Sequence, residues 1–249
     1  MSRGTVLAVA GCKGGVGKTT TAINVGTVAA RDRPTLVVET DLATANASDF
    51  LDLGCDPESG PTLHDVLADE AAVEDATYDA PGGVHVVPSG ATIEGFVDAR
   101  TDRLTEVVDA ARERYDLVFL DTPAGLSVET IQPMAVADGV VLVSTPRLSA
   151  VRDVKKTAEI VERVDGIPLG LVLTRTGTGS APPGERLAEF LGVDLLGEVP
   201  DDPAVPQSQD AGRAVVDFDP DASAARAYEA VAQRLLDGQR AERVAGQDA

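Results

Sequence analysis

A run of apolar residues, Val6-Leu7-Ala8-Val9-Ala10, leads directly into Gly11-Cys12-Lys13-Gly14-Gly15-Val16-Gly17-Lys18-Thr19-Thr20. A buried strand that ends in clustered glycines and then Lys-Thr-Thr constrains the fold more than any other stretch of the chain. It is close to the phosphate-binding pattern G-x-x-x-x-G-K-[ST], in which backbone N–H groups cradle phosphates ahead of a helix. The match is not strict. Counting back from Gly17 puts Cys12, not Gly11, at the first glycine of the pattern. The stretch does match the deviant form K-G-G-x-G-K-[ST], which begins at Lys13.

The physical reading survives the missing glycine. Gly14, Gly15 and Gly17 let the backbone turn so that successive N–H groups, including that of Val16, face one anion. Lys18 adds charge at the outer phosphates, and the Thr19 hydroxyl suits a Mg²⁺ ligand. A plain strand-to-helix turn is the bland alternative, but such turns carry no reason for two lysines and paired threonines.

Apolar strand-like runs alternate with helical patterns along the rest of the chain. This predicts an α/β fold with a doubly wound, mostly parallel sheet and helices on both faces. Strands are expected at 5–10, 35–38, 84–87, 117–120, 140–143, 169–173 and near 193–199. Helices are expected after Lys18, around Leu63-Val66-Leu67, along Leu104-Val107-Val108-Ala111, over roughly 148–164, and through Tyr228-Val231-Ala232-Leu235. The stretch 40–61 reads as a loop. No internal repeat or long linker divides the chain, so one domain is expected over 1–238, followed by a short polar tail at 239–249.

Two carboxylates stand where ligands bind in such sheets, just past the C-terminal ends of strands. Asp121 follows Leu117-Val118-Phe119-Leu120 and is placed to hold Mg²⁺ through water. Asp41 follows the second strand and is placed to orient an attacking water. A helix cap and a solvated loop acid are the bland readings of the two.

The charge balance limits the partners. Forty-one acidic residues against 21 basic ones give a net charge of −20, and lysine occurs only at 13, 18, 155 and 156. Such a surface repels nucleic acid and anionic lipid at low salt. The composition resembles that of salt-adapted cytoplasmic proteins. Cys12 and Cys55 have no metal or redox spacing, which fits a reducing cytoplasm. The longest apolar runs are strand-sized, so no transmembrane helix is expected. The first strand is expected within a few residues of the start, so no signal peptide is expected. His64 and His85 read as structural, because neither has companion ligands nearby in sequence. The basic residues of 147–163 are interleaved with Asp153, Glu159 and Glu162, which reads as a solvated helix face, with a partner or DNA surface as the sharper alternative.

Taken together, Lys13–Thr20, Asp41 with Asn46, Asp121-Thr122-Pro123-Ala124-Gly125, Ser149-Ala150-Val151-Arg152-Asp153, Thr174-Arg175 and Val199-Pro200-Asp201-Asp202 resemble the MinD/ParA family of deviant P-loop ATPases, somewhat more on the MinD side. The resemblance implies ATP and Mg²⁺ as cofactors and an ATP-bound sandwich homodimer that works as a switch in spatial positioning. It implies that Lys13 reaches the partner subunit's phosphates, Lys18 holds the β- and γ-phosphates, Thr19 ligates Mg²⁺ and Thr20 touches the α-phosphate. It further implies Asp41 and Asp121 as the two switch carboxylates, with Arg175, Pro200 and Asp202 against adenine.

The chain departs from the family at three places. Glu39 and Thr174 replace the Asp and Asn of many relatives, and the C-terminus lacks a basic, bulky-apolar helix for lying on membranes. Direct membrane binding is therefore not expected, whereas a protein partner or activator is. A DNA partition ATPase, a metal-cluster carrier, an ATP-dependent biosynthetic ligase, for which no substrate-site signature is found, and a non-hydrolysing scaffold are the alternatives. The acidic balance weighs against the first and the lack of C-x-x-C against the second.

Overall fold

In a computed structural model, residues 3–44, 47–54, 60–177 and 182–247 are described. Asn46 and Cys55 lie outside them. The strands are β1 (Thr5–Ala10), β2 (Thr35–Glu39), β3 (Tyr78–Asp79), β4 (His85–Val87), β5 (Leu117–Asp121), β6 (Gly139–Ser144), β7 (Pro168–Thr176) and β8 (Leu195–Pro200). The helices are α1 (Lys18–Ala30), α2 (Ala47–Phe50), α3 (Leu63–Leu67), α4 (Ile93–Asp98), α5 (Leu104–Arg114), α6 (Val128–Val136), α7 (Leu148–Arg163), α8 (Gly184–Leu191), α9 (Ala204–Asp210), α10 (Val215–Phe218) and α11 (Ser223–Gln247).

These strands form one sheet in the order β3-β4-β2-β5-β1-β6-β7-β8. Every pairing is parallel except the short edge pair β3–β4. Alternation along each strand sends side chains to opposite faces. Leu7 and Val9 of β1 therefore join one apolar layer with α1 and α11, while Val6, Ala8 and Ala10 join the other with α3, α5 and α7. The doubly wound architecture read from the alternating runs is the observed one.

The register matters most for the site. Val9 pairs with Asp121, and Glu39 pairs with Asp121 from the other side. β1, β2 and β5 thus end together, which brings the glycine-rich turn, Asp41 and Asp121 to one edge of the sheet. Neighbouring strands lie about 5 Å apart, so groups leaving these ends meet without long loops.

The stretch expected as a loop over 40–61 contains α2. The helices α4, α6, α8, α9 and α10 and the strand β3 are also additions. The closing helix continues across residue 238 as backbone helix. No helix among the described residues is long and apolar enough to cross a membrane.

Candidate nucleotide site

The glycine-rich turn joins β1 to α1. Gly15 and Gly17 adopt left-handed backbone, with φ of 73° and 90°, conformations that favour glycine. Among the described residues nothing lies within 4 Å of where a Cβ would stand on Gly14 or Gly15, so the loop faces open space there. Gly17 caps α1, and its carbonyl accepts the Thr21 N–H at 2.8 Å. Val16 turns its side chain into the core, so only its backbone can serve an anion.

Together with Lys18, Thr19, Thr20, Asp41 and Arg175, these glycines line a cleft of about 330 Å³. Thr44, Phe50, Thr122, Ala124 and Gln209 complete its walls. Lys18 is buried, which pulls its ammonium below the ordinary value, while Asp121 and Asp41 oppose that shift. The Thr19 hydroxyl donates to Asp121 Oδ2 at 2.6 Å. Asp121 is 2% exposed, and its Oδ1 has no hydrogen-bond partner among the described residues. Burial pushes this carboxyl up to about 7, against the opposing hydrogen bond from Thr19 and charge of Lys18. A buried carboxylate with one bare oxygen, beside a threonine hydroxyl, is a donor set that suits a hard divalent cation.

Lys13 is placed differently from Lys18. Its ammonium donates to Ser149 Oγ at 3.2 Å and stands 3.8 Å from Asp153 Oδ2, both on α7. Its side chain is half-exposed and does not line the cleft of its own chain. Nearby, the Cys12 thiol pairs with the Thr157 hydroxyl at 3.0 Å, and the Cys12 carbonyl accepts the Gly125 N–H at 2.9 Å. That second bond ties the segment after Asp121 to the phosphate loop.

The two substituted positions have structural work. Glu39 is fully buried, and its oxygens accept the Ala47 and Ser89 N–H groups, each at 2.9 Å. It therefore brackets the segment that carries Asp41. Thr174 donates to the Val16 carbonyl at 2.7 Å, holding the phosphate loop from below. Its methyl would stand 3.3 Å from a Cβ on Gly17.

Arg175 follows with a φ of 53° and reaches the cleft. Pro200 and Asp202 do not line it. Asp202 accepts from the Ser223 hydroxyl and from the Ala204 and Ala224 N–H groups, which hold its carboxyl below the usual range. Contact between that segment and a base would thus come from its backbone.

Sequence reasoning missed several residues here, including the cleft-lining Thr44 and Phe50. Gln209 on α9 donates to the Thr20 hydroxyl at 3.1 Å, and no motif marks it. Gly11 lies outside the counted pattern, yet a Cβ there would collide with the Val143 carbonyl of β6.

A family model described as an AAA domain matches residues 4–167. An uncharacterized ATP-binding protein of Methanocaldococcus jannaschii is 34% identical over 232 residues, covering 92% of this chain and 87% of that protein. Among solved structures, the cell division ATPase MinD of Pyrococcus furiosus superposes with a TM-score of 0.88 at 33% identity, covering 94% of this chain and 99% of that one. The septum site-determining protein MinD of Pyrococcus horikoshii, complexed with Mg-ADP, gives a TM-score of 0.86 at 30% identity, with 98% of each chain covered. With the deviant phosphate loop, the parallel sheet and the paired Thr19 and Asp121 in place, these likenesses show that the chain belongs to the MinD/ParA family of P-loop ATPases.

Proposed function

We propose that the protein hydrolyses ATP with Mg²⁺, closes as an ATP-bound sandwich homodimer, and acts as a switch that positions a cellular structure. The observation that carries this reading is the division between the two lysines. Lys18 is buried in the wall of its own cleft, while Lys13 extends outside it over α7.

The chemistry asks mainly for positioning and charge neutralisation. Backbone N–H groups of Gly14, Gly15, Val16 and Gly17, with Lys18, would hold the phosphates. Thr19 and Asp121 would hold Mg²⁺, which supplies Lewis-acid neutralisation of the phosphate oxygens. Thr20 would meet the α-phosphate, with Gln209 orienting its hydroxyl. Asp41 would orient the attacking water. Arg175 and the segment of Pro200 and Asp202 would flank adenine.

Lys13 would complete the partner's site, so association and hydrolysis become linked. A residue supplied across an interface makes turnover depend on pairing. The MinD likeness supports a role in cell division or partition and a protein partner or activator; the reading further takes residues 1–238 as the ATPase domain and a cytoplasmic location.

Phosphate release from Mg-ATP tests the catalytic part. Turnover that requires Mg²⁺ and is lost in Lys18→Ala is expected. A wild-type chain that binds Mg-ATP but releases no phosphate would make it a scaffold.

A further inference from the structure

His64 lies on α3, outside the nucleotide cleft, yet it holds the segment that carries Asp41. Its Nε2 stands 3.0 Å from the Leu42 carbonyl. A carbonyl oxygen can only accept, so Nε2 carries the proton and donates. The other ring nitrogen, Nδ1, is buried without a partner among the described residues. The ring is therefore a neutral imidazole whose one polar task is the Leu42 carbonyl, with the Ser89 hydroxyl a distant second neighbour at 3.5 Å.

The ring has little freedom to leave. Its own helix is fixed by a capping box, in which Asp65 accepts the Thr62 N–H at 2.7 Å. A Cβ on Gly90 would collide with Nδ1, and one on Gly95 would stand 2.9 Å from it. Phe96 packs edge-on at a centroid distance of 6.4 Å. His64 itself is 2% exposed.

Among the described residues Thr40 and Ala47 also anchor the Asp41 segment, and Thr44 has a partner of its own. Thr40 is fixed by its N–H and hydroxyl, which both donate to the Asp121 carbonyl. Ala47 is fixed by Glu39. Both of these anchors come from strand ends that the segment itself adjoins. His64 reaches in from a separate helix and holds the Leu42–Ala43 peptide, one residue beyond Asp41.

We propose that His64 is a positioning residue for hydrolysis: by holding the Leu42 carbonyl it fixes the backbone that aims Asp41 at the attacking water. The inference rests on the reading of Asp41 as the water-orienting carboxylate. Without the donor, a buried carbonyl loses its partner and the segment samples other arrangements. In-line attack is sensitive to displacements of that size, whereas phosphate binding by the glycine-rich loop is not.

The experiment compares wild type, His64→Phe and His64→Gln. Phenylalanine keeps the ring and removes the donor; glutamine restores an N–H near the same place. His64→Leu replaces the Phe variant should that chain fail to fold. Two readouts are taken: kcat and KM for Mg-ATP, and hydrogen–deuterium exchange of a peptide covering residues 40–44.

The Phe variant is expected to lose about tenfold in kcat, with KM within about twofold of wild type. Its 40–44 peptide should exchange faster, and glutamine should restore both readouts. Unchanged exchange and kcat in the Phe variant would overturn the inference. So would equal loss in the Phe and Gln variants, or a KM that rises in step with falling kcat. Absence of phosphate release by wild type would instead contradict the ATPase reading, and the exchange comparison would still decide whether His64 holds the segment.

Discussion

The Thr19 hydroxyl donates to one oxygen of Asp121 at 2.6 Å, and the other oxygen of that buried carboxylate has no partner among the described residues. The pair sits where β1 and β5 end in register, so strand pairing sets its geometry before any ligand arrives. Asp121→Asn preserves shape and removes the charge. It is expected to weaken Mg²⁺ binding by about 10- to 100-fold. Titration of Mg²⁺ against phosphate release at fixed ATP measures this, and an unchanged half-saturating concentration would remove Asp121 from the metal site.

Gly11 separates packing from phosphate contact. A Cβ there runs into the Val143 carbonyl, while a Cβ on Gly14 meets nothing within 4 Å among the described residues. Gly11→Ala is therefore expected to lower unfolding free energy by about 1–3 kcal/mol. Gly14→Ala should fall within about 0.5 kcal/mol of wild type, as for a site free of special contacts. Urea denaturation of the two variants decides it; equal losses would contradict the packing argument.

Thr174 spends its hydroxyl on the Val16 carbonyl rather than in the cleft. Thr174→Val should cost about 1 kcal/mol of stability, the ordinary loss for one such hydrogen bond. The ratio of ATP to GTP affinity should stay as in wild type. A change in that ratio, measured with fluorescent nucleotide analogues, would mean that Thr174 reads the base after all.

His64 also predicts a pH dependence. Burial lowers its pKa from the usual 6.5, while the Leu42 carbonyl and Asp65 oppose the shift. A histidine that is harder to protonate folded than unfolded favours the native state above the unfolded pKa. That contribution is lost as pH falls below about 6.5 and through the folded value. Denaturation midpoints measured from pH 7.5 to 5 should therefore fall less steeply for His64→Gln than for wild type. Equal slopes would mean that the ring titrates as if exposed.

Several parts of this arrangement can be read from the chain because short local rules determine them. The apolar runs pair as central strands, and Lys18, Thr19 and Asp121 follow from the turn and the strand ends. Other parts have no local mark. α4 buries none of its residues, so it shows no apolar stripe. α2 and α10 have four residues each, too few for a period to show. α9 carries Pro206, which reads as a breaker, yet this helix delivers Gln209 to Thr20. Glu39 looks like one more acid near a metal until its oxygens are found on the Ala47 and Ser89 N–H groups. These contacts join residues far apart in sequence, and only the folded register brings them together.

Lys13, in the turn between β1 and α1, rests half-exposed against α7, 3.8 Å from Asp153 and outside the cleft that Lys18 lines. The central claim is that it completes a second subunit's site. The direct measurement is mass in solution by light scattering, with and without Mg-ATP, for wild type and Lys13→Ala. High and low salt are both needed, because a net charge of −20 per chain opposes pairing when unscreened. The account predicts that wild type doubles in mass with Mg-ATP at high salt, and that Lys13→Ala stays monomeric while still binding nucleotide. A wild-type chain that remains monomeric with Mg-ATP at every salt concentration would contradict it.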